Sequence, residues 1–393
     1  MSLEDAIRQE AAALGFSACG FAAAEPLTRG AFLEGWLDAG FAGQMHYLAR
    51  RPARRLTVAG ILPDARTVIS LAVPYAPPPL PAIDCDAELR GRIAAYAAGP
   101  DYHDTIAARL EQLTAFITAR SPGSRCRPYV DTGAVLEREW AVRGGLGWFG
   151  KNTMLLSTRA GSWFFLAELV TTVALASDET TDAHCGRCTS CLDACPTGAL
   201  GDGLVMDAPK CISYLTIEHR GAMPPALRPH LGAWIFGCDV CQSVCPWNES
   251  ERPPVEAQAD GTPLSSQAKA WVAPSTRAPS SDVEWLYPRL TDLVGLDASG
   301  FRARYGRTAL ARTKRRGLLR NVAVALGNAT NPDAVEPLKK ALGDAEPLVR
   351  GHAAWALGAH HARGHPRAAD VLLRHRSQET DPTVHAEITA AVS

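Results

Sequence analysis

Residues 185–196, which read CGRCTSCLDACP, decide how this chain is interpreted. The four cysteines have the spacing C-x2-C-x2-C-x3-C, and a proline follows the last one directly. A second group, GCDVCQSVCPW at 237–247, has the spacing C-x2-C-x3-C before another proline, and Cys211 stands alone between the two groups. The first run is the bacterial spacing for 4Fe–4S clusters, in which the fourth cysteine ligates the neighbouring cluster.

That crossover divides the cysteines of this region into two sets of four thiolates, the soft anionic ligands that iron–sulfur clusters require. The first set is Cys185, Cys188, Cys191 and Cys245, and the second set is Cys195, Cys211, Cys238 and Cys241. The two sets use every cysteine of the region, whereas a zinc site would leave cysteines over, and disulfide frameworks belong to small secreted domains. We therefore predict two 4Fe–4S clusters and interpret Cys19, Cys85 and Cys126 as small core side chains.

The composition is that of an ordinary globular chain. It has 393 residues, a formal net charge of −1, 47% hydrophobic and 21% charged residues, which excludes collagen-like, disordered and coiled-coil proteins and predicts two or three domains. There is no uninterrupted apolar run of about 18 residues, and the acidic start lacks the segments of a secretory signal. We therefore expect a soluble, cytoplasmic protein with no membrane contact. We expect a monomer, because no obvious self-association segment is present.

One basic segment departs from this balanced charge. Residues 301–320 contain eight basic residues and no acidic one, which creates a local positive field that attracts phosphate backbones; a solvated helix face is the alternative. The segment precedes an internal repeat, because residues 320–327 recur at 350–358 and more weakly near 381. HEAT-like helical repeats present concave binding surfaces. A nucleic-acid contact is therefore favoured, and its candidates are Lys314, Arg315, Arg316 and Arg320.

The first 175 or so residues have mixed α and β character. Residues 67–73 and 163–173 have the composition of buried strands, and residues 103–120 have helical periodicity. The glycine-rich segment 144–152 permits close approach of backbone to a ligand but matches neither a dinucleotide motif nor a P-loop. We predict an α+β fold class with four parts: a mixed α/β cofactor domain (1–177), a ferredoxin-like two-cluster domain (178–250), a connecting segment (251–300) and C-terminal HEAT-like α-helical repeats (301–393).

Taken together, the motifs resemble the epoxyqueuosine reductase family over essentially the whole chain. The segments that carry the resemblance, in the family's order and spacing, are 130–133, 137–138, 145–153, 161–162, 195–200, 211–216, 237–247 and 320–328. The resemblance implies a cobalamin-dependent oxidoreductase that reduces epoxyqueuosine at the wobble position of tRNA to queuosine, the last step of queuosine biosynthesis. It further implies that two 4Fe–4S clusters relay the electrons, that a donor such as flavodoxin or ferredoxin supplies them, and that the cofactor domain has a flavin-reductase or nitroreductase-like architecture.

The resemblance also implies roles for individual residues. Asp131 holds the place of the family's proton donor and is expected beside the cofactor; a turn-capping role is the alternative, because an acid that stays protonated near neutral pH needs burial or a nearby negative charge. The other implied cofactor contacts are Arg55, Asn152, Ser162, Ser213 and Asp239. Residues 101–103 begin like the D-x-H-x-x-G signature that supplies an axial histidine to cobalt, but position 106 is isoleucine. Cobalamin is therefore expected without His103 as a ligand, which leaves His103 a structural role or an approach to the substrate.

Two other functions remain open at this stage. A related cobamide and iron–sulfur reductase, such as a reductive dehalogenase, would act on a small molecule, but such enzymes are typically exported with a twin-arginine leader and would not need a basic helical repeat. A ferredoxin-type electron carrier with a protein-binding repeat would leave the N-terminal 175 residues unexplained. Failure to bind cobalamin would favour the carrier.

Overall fold

The structure is a computed structural model that describes residues 1–50, 53–75, 83–201, 204–249 and 283–392. The N-terminal part is built on a four-stranded antiparallel sheet formed by β1 (Ala18–Ala23), β2 (Thr67–Pro74), β4 (Cys126–Tyr129) and β7 (Phe164–Thr171), in the order β1–β2–β7–β4. The central strands β2 and β7 pair along their full length, from Thr67 opposite Thr171 to Pro74 opposite Phe164. Both strands predicted from the sequence are therefore present, and their apolar composition fits burial on both faces.

Helices cover the two faces of this sheet. The helices of this part are α1 (Leu3–Ala13), α2 (Gly30–Asp38), α3 (Ala53–Leu56), α4 (Tyr102–Arg120) and α5 (Glu137–Arg143). Helix α4 directs Ile106, Leu110 and Ile117 into the same core as α1, as the predicted periodicity of 103–120 requires. Helix α5 packs on the opposite face, against β1, β2 and β7.

The glycine-rich segment serves close packing of the chain against itself. A Cβ on Gly20 of β1 would lie 2.0 Å from the carbonyl oxygen of Gly144, and one on Gly147 would lie 1.9 Å from that of Leu156. Any larger side chain at these two positions would overlap main-chain atoms. The backbone that approaches these glycines belongs to the protein, whereas the sequence had suggested a ligand.

Short elements form the cluster region and its connections. The short strands are β3 (Arg92–Ile93), β5 (Trp148–Phe149), β6 (Leu155–Leu156), β8 (Leu200–Gly201), β9 (Val205–Met206) and β10 (Trp234–Phe236). The short helices are α6 (Ser190–Asp193), α7 (Ile212–Ile217) and α8 (Val240–Ser243). The 3₁₀ turns span Val58–Gly60, Ala95–Ala97, Ala208–Lys210, Arg228–Leu231, Pro246–Asn248, Ala309–Thr313 and Pro332–Ala334. Strand β10 pairs in parallel with β3, which joins the cluster region to the N-terminal part.

The C-terminal part is helical. Its helices are α9 (Val283–Leu286), α10 (Leu290–Leu293), α11 (Ala298–Tyr305), α12 (Lys314–Asn328), α13 (Val335–Leu342), α14 (Pro347–Ala362), α15 (Pro366–Arg376) and α16 (Pro382–Val392). The two copies of the internal repeat lie on α12 and α14, and their closing glycines allow the helices to touch. A Cβ on Gly327 would lie 2.7 Å from the Cβ of Ala356, and one on Gly358 would lie 2.6 Å from that of Ala391. No helix in the described part of the chain is long and apolar enough to cross a membrane.

The connecting segment assigned to 251–300 divides in two. Residues 250–282 lie outside the described residues. Residues 283–300 are largely helical, and Leu286, Leu290 and Leu293 share a core with Leu318 and Leu319 of the repeat. The described part of the connecting segment is therefore packed against the repeat.

Candidate active site

A cavity of about 640 Å³ lies where the N-terminal part, the cluster region and the C-terminal helices meet. Its wall is largely aromatic and apolar, with Tyr75, Tyr96, Phe164 and Phe165 among its lining residues. These rings contact one another: the centroids of Tyr75 and Phe165 are 4.6 Å apart, and those of Tyr96 and Phe165 are 6.5 Å apart. A broad apolar wall with a few polar groups is the usual form of a cofactor site.

The structure brings the eight cysteines of the cluster region together in the two sets that the crossover predicts. Cys195, Cys211, Cys238 and Cys241 line the large cavity. Cys185, Cys188, Cys191 and Cys245 line a separate cavity of about 180 Å³. All eight are free thiols, so no disulfide competes with a metal for them. Helix α6, which carries Cys191, packs on α8, which carries Cys241, so the two sets are neighbours.

Burial determines the protonation of the cluster cysteines. Among the described residues, no three His, Cys, Asp or Glu side chains converge on one metal-ion position. Burial raises the pKa of Cys238 to about 12, and burial also raises that of Cys211. These buried thiols lose their protons at neutral pH only when a metal centre takes the place of the proton.

One cysteine of the first set reaches the surface, whereas Cys191 and Cys245 are buried. Cys188 is exposed, and the Nζ of Lys151 donates hydrogen bonds to the carbonyl oxygens of Gly186 (2.8 Å) and Cys188 (2.9 Å). Trp247 lines this cavity, and its ring lies 5.2 Å from that of Trp148, which packs in one cluster with Cys245.

Asp131 lies on the wall of the large cavity, between β4 and α5. Its backbone is in the left-handed region with φ of 54°, which is costly for a residue with a Cβ. Its main-chain N–H donates to Oε1 of Glu137 at 2.6 Å, and its Oδ2 accepts from the hydroxyl of Tyr102 at 3.2 Å. Burial raises the pKa of Tyr102, so this phenol keeps its proton and remains a donor.

His103 is the partner of Asp131 that sequence reasoning missed. Its Nε2 lies 3.3 Å from Oδ2 of Asp131, and its Nδ1 lies 2.6 Å from Oδ1 of Asp101. The hydrogen bond to His103 lowers the pKa of Asp131, and the same hydrogen bond raises the pKa of His103. The proton of this pair therefore rests mainly on the imidazole. The D-x-H start of the motif was the available signal, but Asp131 is 28 residues away in sequence.

The residues expected at the cofactor fall into direct and indirect neighbours of the cavity. Asn152, Ser213 and Asp239 line it. The Oδ2 of Asp239 accepts the N–H of Ala95 at 2.7 Å, and burial raises the pKa of Asp239 to about 7. Ser162 does not line the cavity; it is buried, and its hydroxyl donates to Oε1 of Gln242, a lining residue, at 2.8 Å.

Arg55 also stands behind the wall rather than on it. Its guanidinium donates to the carbonyl oxygen of Tyr47 at 3.1 Å, and Tyr47 lines the cavity. The Nε of Arg55 is buried and has no partner within the described part of the chain. A buried, unpaired guanidinium N–H is a donor available to a bound group.

The basic residues predicted to bind tRNA do not share one environment. Lys314 and Arg316 are exposed, whereas Arg315 is partly buried and pairs with Asp344. The prediction for Arg320 is wrong in this structure, because its side chain is 1% exposed and its guanidinium donates to carbonyl oxygens of the cluster region. Sequence reasoning could see its charge but not its burial.

Arg312, from the same basic segment, was not singled out from the sequence but lines the large cavity. Its Nε donates to Oε1 of Glu218 at 2.5 Å. A cationic side chain therefore stands on the cavity wall that the C-terminal unit supplies.

Comparisons with known proteins cover the whole of this arrangement. Residues 55–132 match the family model described as "Epoxyqueuosine reductase QueG, DUF1730", residues 184–248 match a 4Fe-4S double cluster binding domain, and residues 308–393 match HEAT repeats. The chain is 39% identical over 361 residues to an epoxyqueuosine reductase of Pseudomonas aeruginosa, covering 91% of this chain and 94% of that protein. It is 34% identical over 376 residues to the Escherichia coli epoxyqueuosine reductase, covering 94% and 93%.

Solved structures agree with these relatives. A crystal structure of epoxyqueuosine reductase with an epoxyqueuosine-modified tRNA-Tyr stem loop superimposes with a TM-score of 0.84 at 28% identity, covering 99% of this chain and 98% of that one. The Bacillus subtilis enzyme superimposes with a TM-score of 0.85 at 27% identity over 99% and 98%, in a structure with its catalytic aspartate loop swung out of the active site.

Proposed function

The chain belongs to the epoxyqueuosine reductase family, and we propose that the large cavity is where epoxyqueuosine in tRNA loses its epoxide oxygen. The chain is an oxidoreductase with two 4Fe–4S clusters and a cobalamin cofactor. The observation that carries the assignment of the site is that four cluster cysteines and Asp131 line one cavity. Electrons and a proton can therefore reach one bound substrate.

The residues of the cavity fit a cobalamin. The wall is broad and aromatic, and an unpaired buried N–H of Arg55 stands behind it. His103 is the one histidine on the wall in the described part of the chain, and both of its ring nitrogens face carboxylates. This engagement supports binding without a histidine ligand. We assign direct contacts to Asn152, Ser213 and Asp239, and support of the wall to Arg55 and Ser162. When bound, cobalamin supplies the two-electron reducing chemistry at the epoxide carbon.

The clusters define the direction of electron flow. The set with Cys188 is near the surface and the set with Cys211 lines the cavity, so we assign the first to electron entry and the second to delivery. The donor, a flavodoxin or ferredoxin, docks beside Cys188. Because each cluster passes one electron at a time, two transfers complete one turnover.

Asp131 and His103 handle the proton. Converting an epoxide to an alkene and water takes two electrons and two protons, and the departing oxygen needs a proton as the C–O bond breaks. The imidazole of His103 holds the first proton and Asp131 passes it to the epoxide oxygen; solvent then returns a proton to the pair, and its transfer to the same oxygen releases water. Asp101 holds the imidazole in place through Nδ1. The hydroxyl of Tyr102 fixes the Asp131 carboxylate between transfers.

The tRNA reaches the cavity along the C-terminal unit. We assign phosphate contacts to the exposed Lys314 and Arg316, with a smaller share to Arg315, which is tied to Asp344. Arg312 on the cavity wall meets the part of the anticodon loop that enters. Because the substrate is tRNA, we place the enzyme in the cytoplasm, and we propose that it works as a monomer. The antiparallel sheet with helices on both faces is compatible with a flavin-reductase or nitroreductase-like cofactor domain.

One assay tests this function. Cluster-reconstituted protein is incubated without oxygen with cobalamin, a low-potential reductant and tRNA carrying epoxyqueuosine, and the nucleosides are analysed by mass spectrometry. We expect cobalamin-dependent loss of one oxygen, and we expect Asp131→Asn to retain cobalamin but turn over slowly. No conversion by protein with clusters and cobalamin bound would contradict the substrate and favour the small-molecule alternative. Full activity of Asp131→Asn would contradict the role of Asp131.

A further inference from the structure

A buried pair of carboxyl groups lies beneath the Asp131 loop. Glu168 is in the middle of β7, between its neighbours Ser70 on β2 and Tyr129 on β4, and its side chain is fully buried. Neither oxygen of Glu168 receives a hydrogen bond from a conventional donor among the described residues. The group that faces it is the carboxyl of Glu137, at the first position of α5.

Two carboxyl groups in contact inside a protein share a proton. Both cannot be ionised, because the like charges repel where water cannot screen them, and the protonated member donates to the ionised one. Burial, followed by the charge of Glu137, raises the pKa of Glu168 well above its usual range. Glu168 is therefore the protonated member, and Glu137 carries the charge of the pair.

The charged member of the pair holds Asp131 directly. Its Oε1 accepts the main-chain N–H of Asp131 at 2.6 Å, a short hydrogen bond to an ionised acceptor. The residue held in this way has φ of 54°, a conformation that needs an external contact to persist. The rest of the loop, from Asp131 to Leu136, contains no helix or strand.

We propose that the proton-sharing pair Glu137–Glu168 is a latch that holds the Asp131 loop in its working position. Glu137 is the positioning residue, and Glu168 acts through it by donating the shared proton. This inference rests on the proposed role of Asp131 and adds the residues that place it. Glu168 lies within the sheet and does not line the cavity, whereas Glu137 lines it and its hydrogen bond goes to the main chain of Asp131.

The latch gives the loop a dependence on pH. Burial, followed by the charge of Asp131, raises the pKa of Glu137 to about 7, and Arg138 opposes this rise. As the pH falls through this value, Glu137 is protonated as well, so that both carboxyl groups of the pair carry a proton. Because its oxygen then has no charge, the hydrogen bond from the Asp131 N–H weakens. The other charged groups that face Asp131 are His103 and Arg312, so the test must separate the latch from these two.

Hydrogen exchange of the intact protein measures the latch. After correction for intrinsic exchange, we expect amides of residues 129–136 to become about 10-fold less protected as the pH falls from 8 to 6, and the dependence to vanish in Glu137→Gln. This variant should also lose about 5- to 10-fold in kcat, because its amide oxygen still accepts the Asp131 N–H but without the charge that strengthens the bond. Glu168→Gln should keep both protection and kcat at neutral pH, because its amide replaces the shared proton.

Glu139→Gln, two residues along α5, is the matched control, since Glu139 pairs with Arg29 and Arg143 instead. A Glu137→Gln variant that keeps the wild-type pH dependence would assign it to His103 and overturn the latch. If the amide protection of residues 129–136 in the wild-type protein did not change with pH, the latch would be overturned even if no glutamate variant folded. Failure of the latch and failure of the proposed function give different results. Full activity of Asp131→Asn would exclude Asp131 as the acid, whereas wild-type kcat in Glu137→Gln would exclude only the latch.

Discussion

Replacing Arg320 with methionine should destabilise the protein and leave its electrostatic contact with tRNA unchanged. Arg320 sits on α12 with 1% of its side chain exposed. Its guanidinium donates to the carbonyl oxygens of Leu215 (2.6 Å), His219 (2.7 Å) and Gly221 (2.9 Å), which all belong to the cluster region. Methionine keeps the apolar stem of this side chain and removes its donors, so the substitution tests the hydrogen bonds alone.

The expected loss of stability follows from the acceptors that lose their hydrogen-bond donor. A buried acceptor that loses its partner costs about 1–3 kcal/mol. Leu215 is buried, whereas His219 and Gly221 are partly exposed, so water can replace part of what their carbonyl groups lose. The buried Oδ1 of Asn321 accepts from Nε and Nη2 of Arg320 at 3.0 and 2.9 Å and also loses its donors, whereas the Nδ2 of Asn321 keeps its bonds to the carbonyl oxygens of Thr216 and Ile235. We therefore expect a loss of about 3–5 kcal/mol in the free energy of unfolding.

Two measurements on the same variant decide between a structural and a tRNA-binding role. Denaturant unfolding gives the stability, and tRNA binding from low to moderate salt gives the number of phosphate contacts. We expect Arg320→Met to change only the first, and the exposed neighbour Arg316→Met, as the control, to change only the second. Wild-type stability together with a shallower salt dependence in Arg320→Met would refute the structural argument.

The remaining predictions concern the tRNA surface, the proton and the repeat. Replacing both Lys314 and Arg316 with alanine should weaken tRNA binding and lower its salt slope by about 0.7–0.9 per lost contact, with unchanged cluster absorbance; unaltered affinity would contradict the assignment. The raised pKa of His103 predicts that kcat falls as the pH rises through that pKa, because the imidazole loses its proton. The His103→Gln variant should be slow and should lack this decrease at high pH. A wild-type dependence of kcat on pH in this variant would exclude His103 as the holder of the proton. On α12, Gly327→Ala should destabilise the protein by about 1–3 kcal/mol, because the added methyl group would overlap with α14. Gly317→Ala, on the same helix, should be neutral or stabilising by up to about 1 kcal/mol. Equal melting temperatures of the two variants would contradict the close packing at Gly327.

Sequence reasoning could identify the cluster ligands because their information is local. A spacing of two residues places Cys185, Cys188 and Cys191 on one cube and Cys238 and Cys241 on the other, and only Cys195, Cys211 and Cys245 require longer reach. The periodic helix 103–120 and the two central strands of the sheet were also predictable, since a repeating apolar pattern reports a buried face.

The environment of Asp131 could not be predicted in the same way. Its partners come from α4, α5 and β7, and the fold alone brings His103 and Glu168 beside the residues between β4 and α5. The sequence pointed to an acid that would need a raised pKa, whereas the structure gives Asp131 a lowered pKa and stores the proton on a neighbour. Burial and charge at a site depend on contacts between distant segments, which no local pattern contains.

The C-terminal helices illustrate a further limit of reading domains from composition. The repeat and the cluster region have clearly different compositions, but their side chains share one core: Ile93 and Phe236 pack in the same cluster as Leu318 and Val322. Arg228 of the cluster region, which is 1% exposed, forms a bidentate ion pair with Glu387 of α16. The two N–H···O distances are 2.9 and 2.6 Å. Because the large cavity takes part of its wall from each unit, the helical unit helps to build the proposed active site. A chain without these helices would expose the apolar core that they share with the cluster region and would lose Arg312 from the cavity wall. We therefore expect tRNA binding and reduction to require the N-terminal part, the cluster region and the helical unit folded together.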